Sequence, residues 1–378
     1  MAFNLPKRGL VFWPVSNGDS TTIVIDPNTV VQVDLNHLAK SEDDADPTWS
    51  VVHYLAARLP TKNKRPYLAV FALTHPDLDH CRGFEKLLDE VDIGELWFTP
   101  RIFFEYKKDL VDDAKVFQKE AKRRVKATIN AAGGDPGAGN RVRIFGYSEL
   151  LEDDEYKGFP AKRLIIPGNA LTTVDEVDVK NSFRVFVHAP FKDDSAGQRN
   201  ETSLGMQATL YEGDTAFRAL LFGDLAYPTL KRIFEVSKKD DLAWNVLLAP
   251  HHCSRKVMYW HEEGDEEERL RQDLLDMIDT AAQSPNQIVS SSDPVPASNK
   301  KGDNPPHARA KSRYESITVD GFICTMEHPN VDKPEPIVFE FKNGQVRIAA
   351  AATAKSASAA AKAARGGSAP PGEAVTYG

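Results

Sequence analysis

Apolar positions along this chain come in short blocks separated by turn residues, and the spacing inside each block predicts its element. Between Gly9 and His37 two β-rich runs are punctuated by Asn17-Gly18-Asp19 and Asp26-Pro27-Asn28, the pattern of a meander of short strands. Behind Thr48, a fitting N-cap, Val51, Tyr54, Leu55 and Leu59 recur at helical spacing. Tyr67 to Leu73 is continuously apolar and ends in a polar loop, which predicts a buried strand. A helix over Phe84 to Val91 and a strand over Glu95 to Pro100 continue in α/β order. Phe104 to Ala132 then reads as one long helix or a helix pair inserted between sheet strands, ending at Gly133-Gly134.

Residues 141–190 read as irregular β closed by a strand over Ser182 to Pro190, and Glu212-Gly213-Asp214 as the turn of a hairpin. A helix at Leu230 to Ser237, a buried strand at Trp244 to Pro250, and an acidic amphipathic helix over Glu262 to Gln283 come next. Strands return in Asn286 to Asp293, Gly321 to Glu327, Pro336 to Lys342 and Gln345 to Ala350. Two strand-rich halves thus each carry helices on the outside. From Ala349 to Gly378 only Val375 and Tyr377 are large and apolar, so this stretch is expected to be a disordered tail.

Composition narrows the class. The 378 residues make one large domain or two modest ones, and 41% hydrophobic with 27% charged residues is ordinary globular usage. No apolar run has the roughly 18 residues of a membrane span, and the N-terminus lacks a small-residue cleavage site, so the expected location is cytoplasmic with no membrane partner. Cys81, Cys253 and Cys324 form no paired spacing, which removes disulfide frameworks and cysteine-based zinc fingers. A net charge of −8 argues against a globally nucleic-acid-binding surface, so a phosphate-bearing substrate would be held locally.

The most informative residues are Thr74-His75-Pro76-Asp77-Leu78-Asp79-His80, where two imidazoles and two carboxylates share one strand-end loop. Such spacing lets several side chains converge on a small volume, as a metal site requires. Phe222-Gly223-Asp224 and Pro250-His251-His252-Cys253-Ser254 also follow apolar strands, so three strands deliver His and Asp to their C-terminal ends.

In this order the pieces resemble the metallo-β-lactamase superfamily, and within it the branch typified by the hydrolase domain of ComEC. The His-x-His-x-Asp-His signature reads His75-x-Asp77-x-Asp79-His80, with aspartate for the second histidine. Asn17-Gly18-Asp19-Ser20, Val33-Asp34, Asn200-Glu201-Thr202-Ser203-Leu204, Phe222-Gly223-Asp224, His251-His252-Cys253-Ser254 and the stretch Ser291 to His307 are similar to later motifs of that branch. The likeness spans about residues 9–345, the 104–180 insertion excepted.

The resemblance implies a four-layer αβ/βα metallo-β-lactamase sandwich over residues 1–348, with a helical or irregular insertion at about 104–180 and the tail 349–378 beyond it. It implies two divalent metal ions. His75 and Asp77 would bind the first, Asp79 and His80 the second, Asp224 would bridge, and His252, with His251 as the alternative, would complete the second site. The remaining family ligand falls near Asn200, where no histidine stands. Three carboxylates beside three imidazoles make a hard, oxygen-rich donor set, so Mn²⁺ or Mg²⁺ competes with Zn²⁺. Asp79 and His307 are the expected catalytic residues, His307 as a proton donor in a cationic stretch. Asn200, Ser203, Arg309 and Arg313 are expected to hold substrate.

The function expected from this set is metal-dependent hydrolysis of phosphodiester bonds, by a nuclease or a nucleotide phosphodiesterase. Hydrolysis of a lactone, thioester or amide is the enzymatic alternative. A weakly active scaffold, binding a protein partner through the insertion or the tail, is the third reading. Lys119, Lys122, Arg123, Arg124 and Lys126 on the inserted helix read first as a solvated face and second as a nucleic-acid contact.

Overall fold

The computed structural model describes residues 4–104, 110–193, 199–262, 264–300, 302–318 and 321–349. Two mixed sheets form its centre. The first is built from β1 (Gly9–Phe12), β2 (Thr21–Asp26), β3 (Thr29–Val33), β4 (Arg65–Leu73), β5 (Asp92–Phe98), β6 (Arg141–Phe145) and β7 (Leu164–Ile165). The second contains β8 (Ala170–Leu171), β9 (Phe183–Ala189), β10 (Gly205–Glu212), β11 (Thr215–Leu221), β12 (Trp244–Leu248), β13 (Ala282–Ser290) and β14 (Phe322–Cys324). The hairpin of β15 (Ile337–Lys342) and β16 (Gln345–Ile348) then returns to the first sheet beside β1.

Strand order is β16-β15-β1-β2-β3-β4-β5-β6-β7 in the first sheet and β14-β13-β12-β11-β10-β9-β8 in the second. The neighbours from β3 to β7 run parallel, as do those from β11 to β14; the remaining pairs are antiparallel.

Alternation along the buried strands assigns the layers. Val70 and Ala72 of β4 share an inter-sheet core with Ala219, Leu221, Val246 and Leu248, whereas Phe71 and Leu73 face the opposite way, into a core with Leu55, Phe84 and Phe117. Those residues lie on α1 (Val51–Arg58), α3 (Phe84–Glu90) and α4 (Asp112–Asn130); α2 (Leu78–Cys81) is the single turn between β4 and α3. On the far side Leu220, Leu247 and Ile288 pack with Leu230 and Ile233 of α5 (Tyr227–Val236), Leu274 and Ile278 of α6 (Gln272–Ala281), and Ala310 and Tyr314 of α7 (Ala308–Ser316). A strand that is apolar on both faces is buried between layers, which explains the continuous runs at 67–73 and 244–248. The order is helix, sheet, sheet, helix: a four-layer αβ/βα sandwich.

Three expectations change. The 104–180 segment is woven into the fold: α4 packs on the first sheet, β6 and β7 extend it, and β8 pairs in the second. Its strands hide because Arg141 and Arg143 alternate with Val142 and Ile144, a half-polar pattern weaker than that of β4. The acidic helix after His261 is confined to Gln272–Ala281, preceded by the two-residue strand Arg269–Leu270. The helix start moves too: α1 follows Ser50, not Thr48, in the N-cap position, and the Ser50 side chain makes no capping bond. The expected tail lies, Ala349 apart, outside the described residues. No helix among the described residues is long and apolar enough to cross a membrane.

Candidate metal centre

Parallel strands end together at one rim of the sandwich, and the chemistry sits there. β3 runs into Asp34, β4 into Thr74-His75, β11 into Gly223-Asp224, β12 into the His251-His252 turn, and β13 into Ser291. Backbone hydrogen bonds tie these ends: Asp34 N to the Ala72 carbonyl at 2.8 Å, Leu35 N to that of His80 at 2.8 Å, and Leu204 N to that of Thr74 at 3.0 Å. His251 N bonds the Gly223 carbonyl at 2.9 Å, and Asp19 N bonds that of Asp79 at 3.1 Å.

Two glycines permit the close approach. Gly223 has φ +52° and a Cβ there would lie 3.1 Å from both Ser203 Cβ and Thr74 Oγ1. Gly18 has φ +147°, and a Cβ there would fall 2.2 Å from Asn36 Nδ2. Each glycine precedes a site carboxylate.

Asp224 is the hub. Its Oδ1 lies 3.2 Å from His80 Nε2 and 3.4 Å from His252 Nε2, while its Oδ2 lies 3.7 Å from His75 Nε2 and 3.6 Å from His251 Nε2. His75 Nε2 is also 3.5 Å from Asp77 Oδ2, and His252 Nε2 is 3.1 Å from Asp79 Oδ2. Asp19 Oδ1 approaches His252 Nδ1 at 3.4 Å. Ligand atoms of Asp19, His80, Asp224 and His252 all lie within 4.8 Å of one another, and all four residues are buried.

Surrounding groups fix the imidazoles. His80 Nδ1 is held by Asp34 Oδ2 at 2.7 Å, and Asp34 is itself oriented by Thr74 N at 2.7 Å and Thr74 Oγ1 at 2.6 Å. His75 Nδ1 donates to Thr74 Oγ1 at 3.1 Å, and His252 Nδ1 donates to the Ser291 carbonyl at 3.1 Å. With Nδ1 committed to an acceptor, each of the three rings turns the lone pair of Nε2 toward Asp224. His75 Nε2, His80 Nε2, His252 Nε2, Asp224 Oδ1 and Asp19 Oδ1 are buried with no hydrogen-bond partner. All five are acceptors aimed at one volume, and a buried acceptor without a donor is costly unless a cation fills the gap. The residues present therefore fit divalent metal.

The electrostatics agree. Burial opposes charge on His80, yet Asp224, Asp34 and Asp79 outweigh it and hold its pKa well above the ordinary value. His252 behaves likewise, with Asp224, Asp19 and Asp79 overcoming its burial. Burial would raise Asp224, but His252, His80 and His75 pull it well below the carboxylate range. The cluster binds protons where metal is absent.

All seven expected ligands are brought together here: His75, Asp77, Asp79, His80, Asp224, His251 and His252. The structure adds Asp19 and Asp34. A lone Asp in a turn or at a strand end carries no spacing signal; only the family likeness of Asn17 to Ser20 and of Val33-Asp34 pointed to them. The expected proton donor and substrate contacts stand differently. His307 has both ring nitrogens engaged, Nδ1 accepting from Arg255 N at 3.2 Å and Nε2 donating to the Asp303 carbonyl at 3.1 Å. Burial lowers its pKa, and with its backbone N bonded to the Cys253 carbonyl the residue pins the chain behind Cys253. Arg309 stacks on Tyr259, and Arg313 Nε donates to the Tyr259 hydroxyl at 3.2 Å. Ser203 is fully buried and donates to the Asn200 carbonyl at 2.7 Å, so it supports the Gly223 turn, with Asn200 in the 3₁₀ turn Arg199–Thr202 beside it. On α4, Arg123 pairs with Glu120 and Lys122 with Glu155 on the exposed face, whereas Arg124 is buried, bonded to Glu120 and to the Ile93 carbonyl, and does not belong to the expected solvated face.

No family model matches the chain, and no curated protein matches it. Solved structures similar to it include the metallo-beta-lactamase fold protein YhfI from Bacillus subtilis, at 9% identity over 84% of this chain and 95% of that one, with a TM-score of 0.40. BJP-1, a subclass B3 metallo-beta-lactamase of Bradyrhizobium japonicum, aligns at 13% identity over 74% and 88% with a TM-score of 0.33. The class B3 di-zinc metallo-beta-lactamase LRA-12 from an Alaskan soil metagenome aligns at 11% identity over 74% and 91% with a TM-score of 0.29. The layer order described above rests on this chain's own strand pairing and cores.

Proposed function

We propose that this chain is a metal-dependent hydrolase of phosphodiester bonds. The observation that carries the metal part is the set of five buried acceptors facing one another around Asp224 with no donor among them. Metal held there would supply an acidified water nucleophile and Lewis-acid stabilisation of charge on the substrate. The chain's own residues do the positioning. Asp34, Thr74 and the Ser291 carbonyl hold three imidazoles in one tautomer, which fixes their Nε2 atoms before any ligand arrives. Asp77 and Asp79, with side chains 29% and 34% exposed, stand at the mouth of the site where water and substrate enter. Burial would raise the Asp79 pKa, but His80 and His252 hold it well below the carboxylate range. A carboxylate so acidic is a poor proton acceptor, so Asp79 serves as a ligand more than as a general base.

Two features support phosphodiester over carboxylic substrates. Carboxylates match imidazoles in number around Asp224, a harder donor set than a histidine-dominated one, as suits the divalent ions of phosphoryl chemistry. Lys256, exposed and without an ion-pair partner among the described residues, lies close enough to His251 for its charge to oppose protonation there. It replaces Arg309 and Arg313 as the cation beside the mouth. Lys256→Gln is expected to raise KM for an anionic substrate about three- to tenfold, as losing one charge-assisted contact implies, with kcat little changed.

The test is hydrolysis of bis(p-nitrophenyl) phosphate by metal-stripped protein refilled with Mn²⁺, Zn²⁺ or Mg²⁺, with Asp79→Ala alongside. Turnover restored by one metal and absent in the variant supports the proposal. No turnover with any metal, or equal turnover in the variant, defeats it, and lactone, thioester and amide substrates are then the ones to assay.

A further inference from the structure

The turn after β12 holds three consecutive non-glycine residues in the left-handed region: His251 at φ 52°, His252 at 53° and Cys253 at 65°. Left-handed backbone is unfavourable for each such residue, and strain of this kind persists where the surroundings impose it. Its effect is directional. In an extended strand successive side chains leave on opposite faces, so two adjacent residues do not reach one carboxylate. Here both do. The imidazoles of His251 and His252 stand 87° apart with centroids separated by 6.1 Å, and each addresses a different oxygen of Asp224.

We propose that these two adjacent histidines serve two different metal positions, split across Asp224. An outer position is formed by His75, Asp77, His251 and Asp224 Oδ2, and an inner one by Asp19, Asp79, His80, His252 and Asp224 Oδ1. This rests on the two-ion reading of the centre. His251 thereby supplies the donor that the mid-chain position near Asn200 does not. Beyond its Asp224 contact, its backbone N–H is anchored on Gly223 and its Nδ1 is buried without a hydrogen-bond partner among the described residues, so no other polar contact described there accounts for the ring's placement.

The two positions are unequal. Three carboxylates face the inner one, and Asp19, His80, Asp224 and His252 are all buried; the outer has two carboxylates, with Asp77 29% and His251 18% exposed. More negative charge in a drier setting binds a divalent cation more tightly, so the inner position fills first and the outer exchanges.

The experiment is a Co²⁺ titration of the metal-stripped full chain, followed by visible absorption and by metal content after gel filtration. The wild-type protein is expected to take up two equivalents in two steps. His251→Asn, which keeps a residue at ease in the left-handed region, is expected to retain the first step and weaken the second at least tenfold. Asp19→Asn and His252→Ala are expected to weaken the first. Circular dichroism melts verify that each variant is folded, and His251→Ala provides a second reading of the same position. Two unchanged steps in His251→Asn, loss of both steps, or a single equivalent in the wild type each overturn the assignment. No substrate enters the titration, so two ions bound with this split but no phosphodiester turnover removes the proposed function and leaves this inference standing.

Discussion

Two polar clusters are buried between the layers, and they hold their charge in opposite ways. One is the centre around Asp224. The other lies where β5 meets β6: Glu95 Oε1 sits 3.1 Å from Arg143 Nε and 3.6 Å from Arg163 Nη1, and Arg163 Nη2 sits 2.9 Å from Glu176. Both contain buried atoms without a hydrogen-bond partner, so burial alone does not separate them. Chemistry does. At Glu95 the orphaned atoms are guanidinium donors facing an orphaned carboxylate acceptor, and small side-chain adjustments satisfy both. Around Asp224 the orphaned atoms are carboxylate oxygens and imidazole nitrogens, all of them ligand-type atoms with no permanent donor aimed at Asp224. The first cluster closes on itself; the second is paired only when protons or a metal ion are bound there.

The largest expected effect comes from removing the hub. Asp224→Asn should lower turnover on a phosphodiester by about a thousandfold or more, the scale of losing charge stabilisation in the transition state. It should also abolish the rise in Tm that added metal gives the wild-type protein. A metal-dependent Tm surviving in that variant breaks the contrast between the clusters.

Glu95→Ala tests the opposite cluster and is expected to destabilise the fold by about 3–5 kcal/mol by stranding buried guanidinium charge, with metal content per folded molecule unchanged. Urea unfolding measures the first quantity and metal analysis the second.

A third buried polar group calibrates both. Burial pushes the His188 pKa down to about 4, and the ring bonds Ser237 Oγ at 2.9 Å and the Asp241 carbonyl at 3.0 Å. Because the folded state holds this ring neutral while the unfolded chain protonates near 6.5, its contribution is complete above pH 6.5 and is lost as pH falls from there toward 4. The loss should reach about 3 kcal/mol, read as the extra pH dependence of unfolding in wild type relative to His188→Gln. The smallest effect sharpens the metal side: Asp34→Asn should weaken metal affinity about 10- to 100-fold by loosening His80, as measured by competition with a chelator.

How much of this was legible depended on whether a residue's neighbours announce it. The loop from Thr74 to His80 stands out because four ligand-type side chains share seven positions after an apolar run, and Gly223-Asp224 and His251-His252 follow the same strand-end rule. Asp19, in a turn, and Asp34, alone at the end of β3, do not stand out, since what makes them matter is contact across the chain with His252 and His80. The splitting of His251 from His252 was open because the letters do not show backbone handedness. The cationic stretch around His307 shows a related limit: its letters suggest a phosphate clamp, while the contacts of His307 with Arg255 and Asp303, and of Arg309 and Arg313 with Tyr259, are visible only in the fold. The layer order was readable from β4 and β12, which are apolar on both faces, while residues 141–190 read only as irregular β because Arg141 and Arg143 alternate along β6, and because β7 is two residues long.

The strand that closes the first sheet bears on how the molecule is made. β15 pairs with β1, Leu10 opposite Phe339, so the two edges of one seam come from opposite ends of the described chain. During synthesis β1 leaves the ribosome with one flank unpaired and stays so until residues 337–342 follow, an exposed edge of the kind that invites wrong partners. Every ligand around Asp224 has emerged by then, His252 being the last. The whole candidate ligand set is therefore synthesised before the strand that closes the seam.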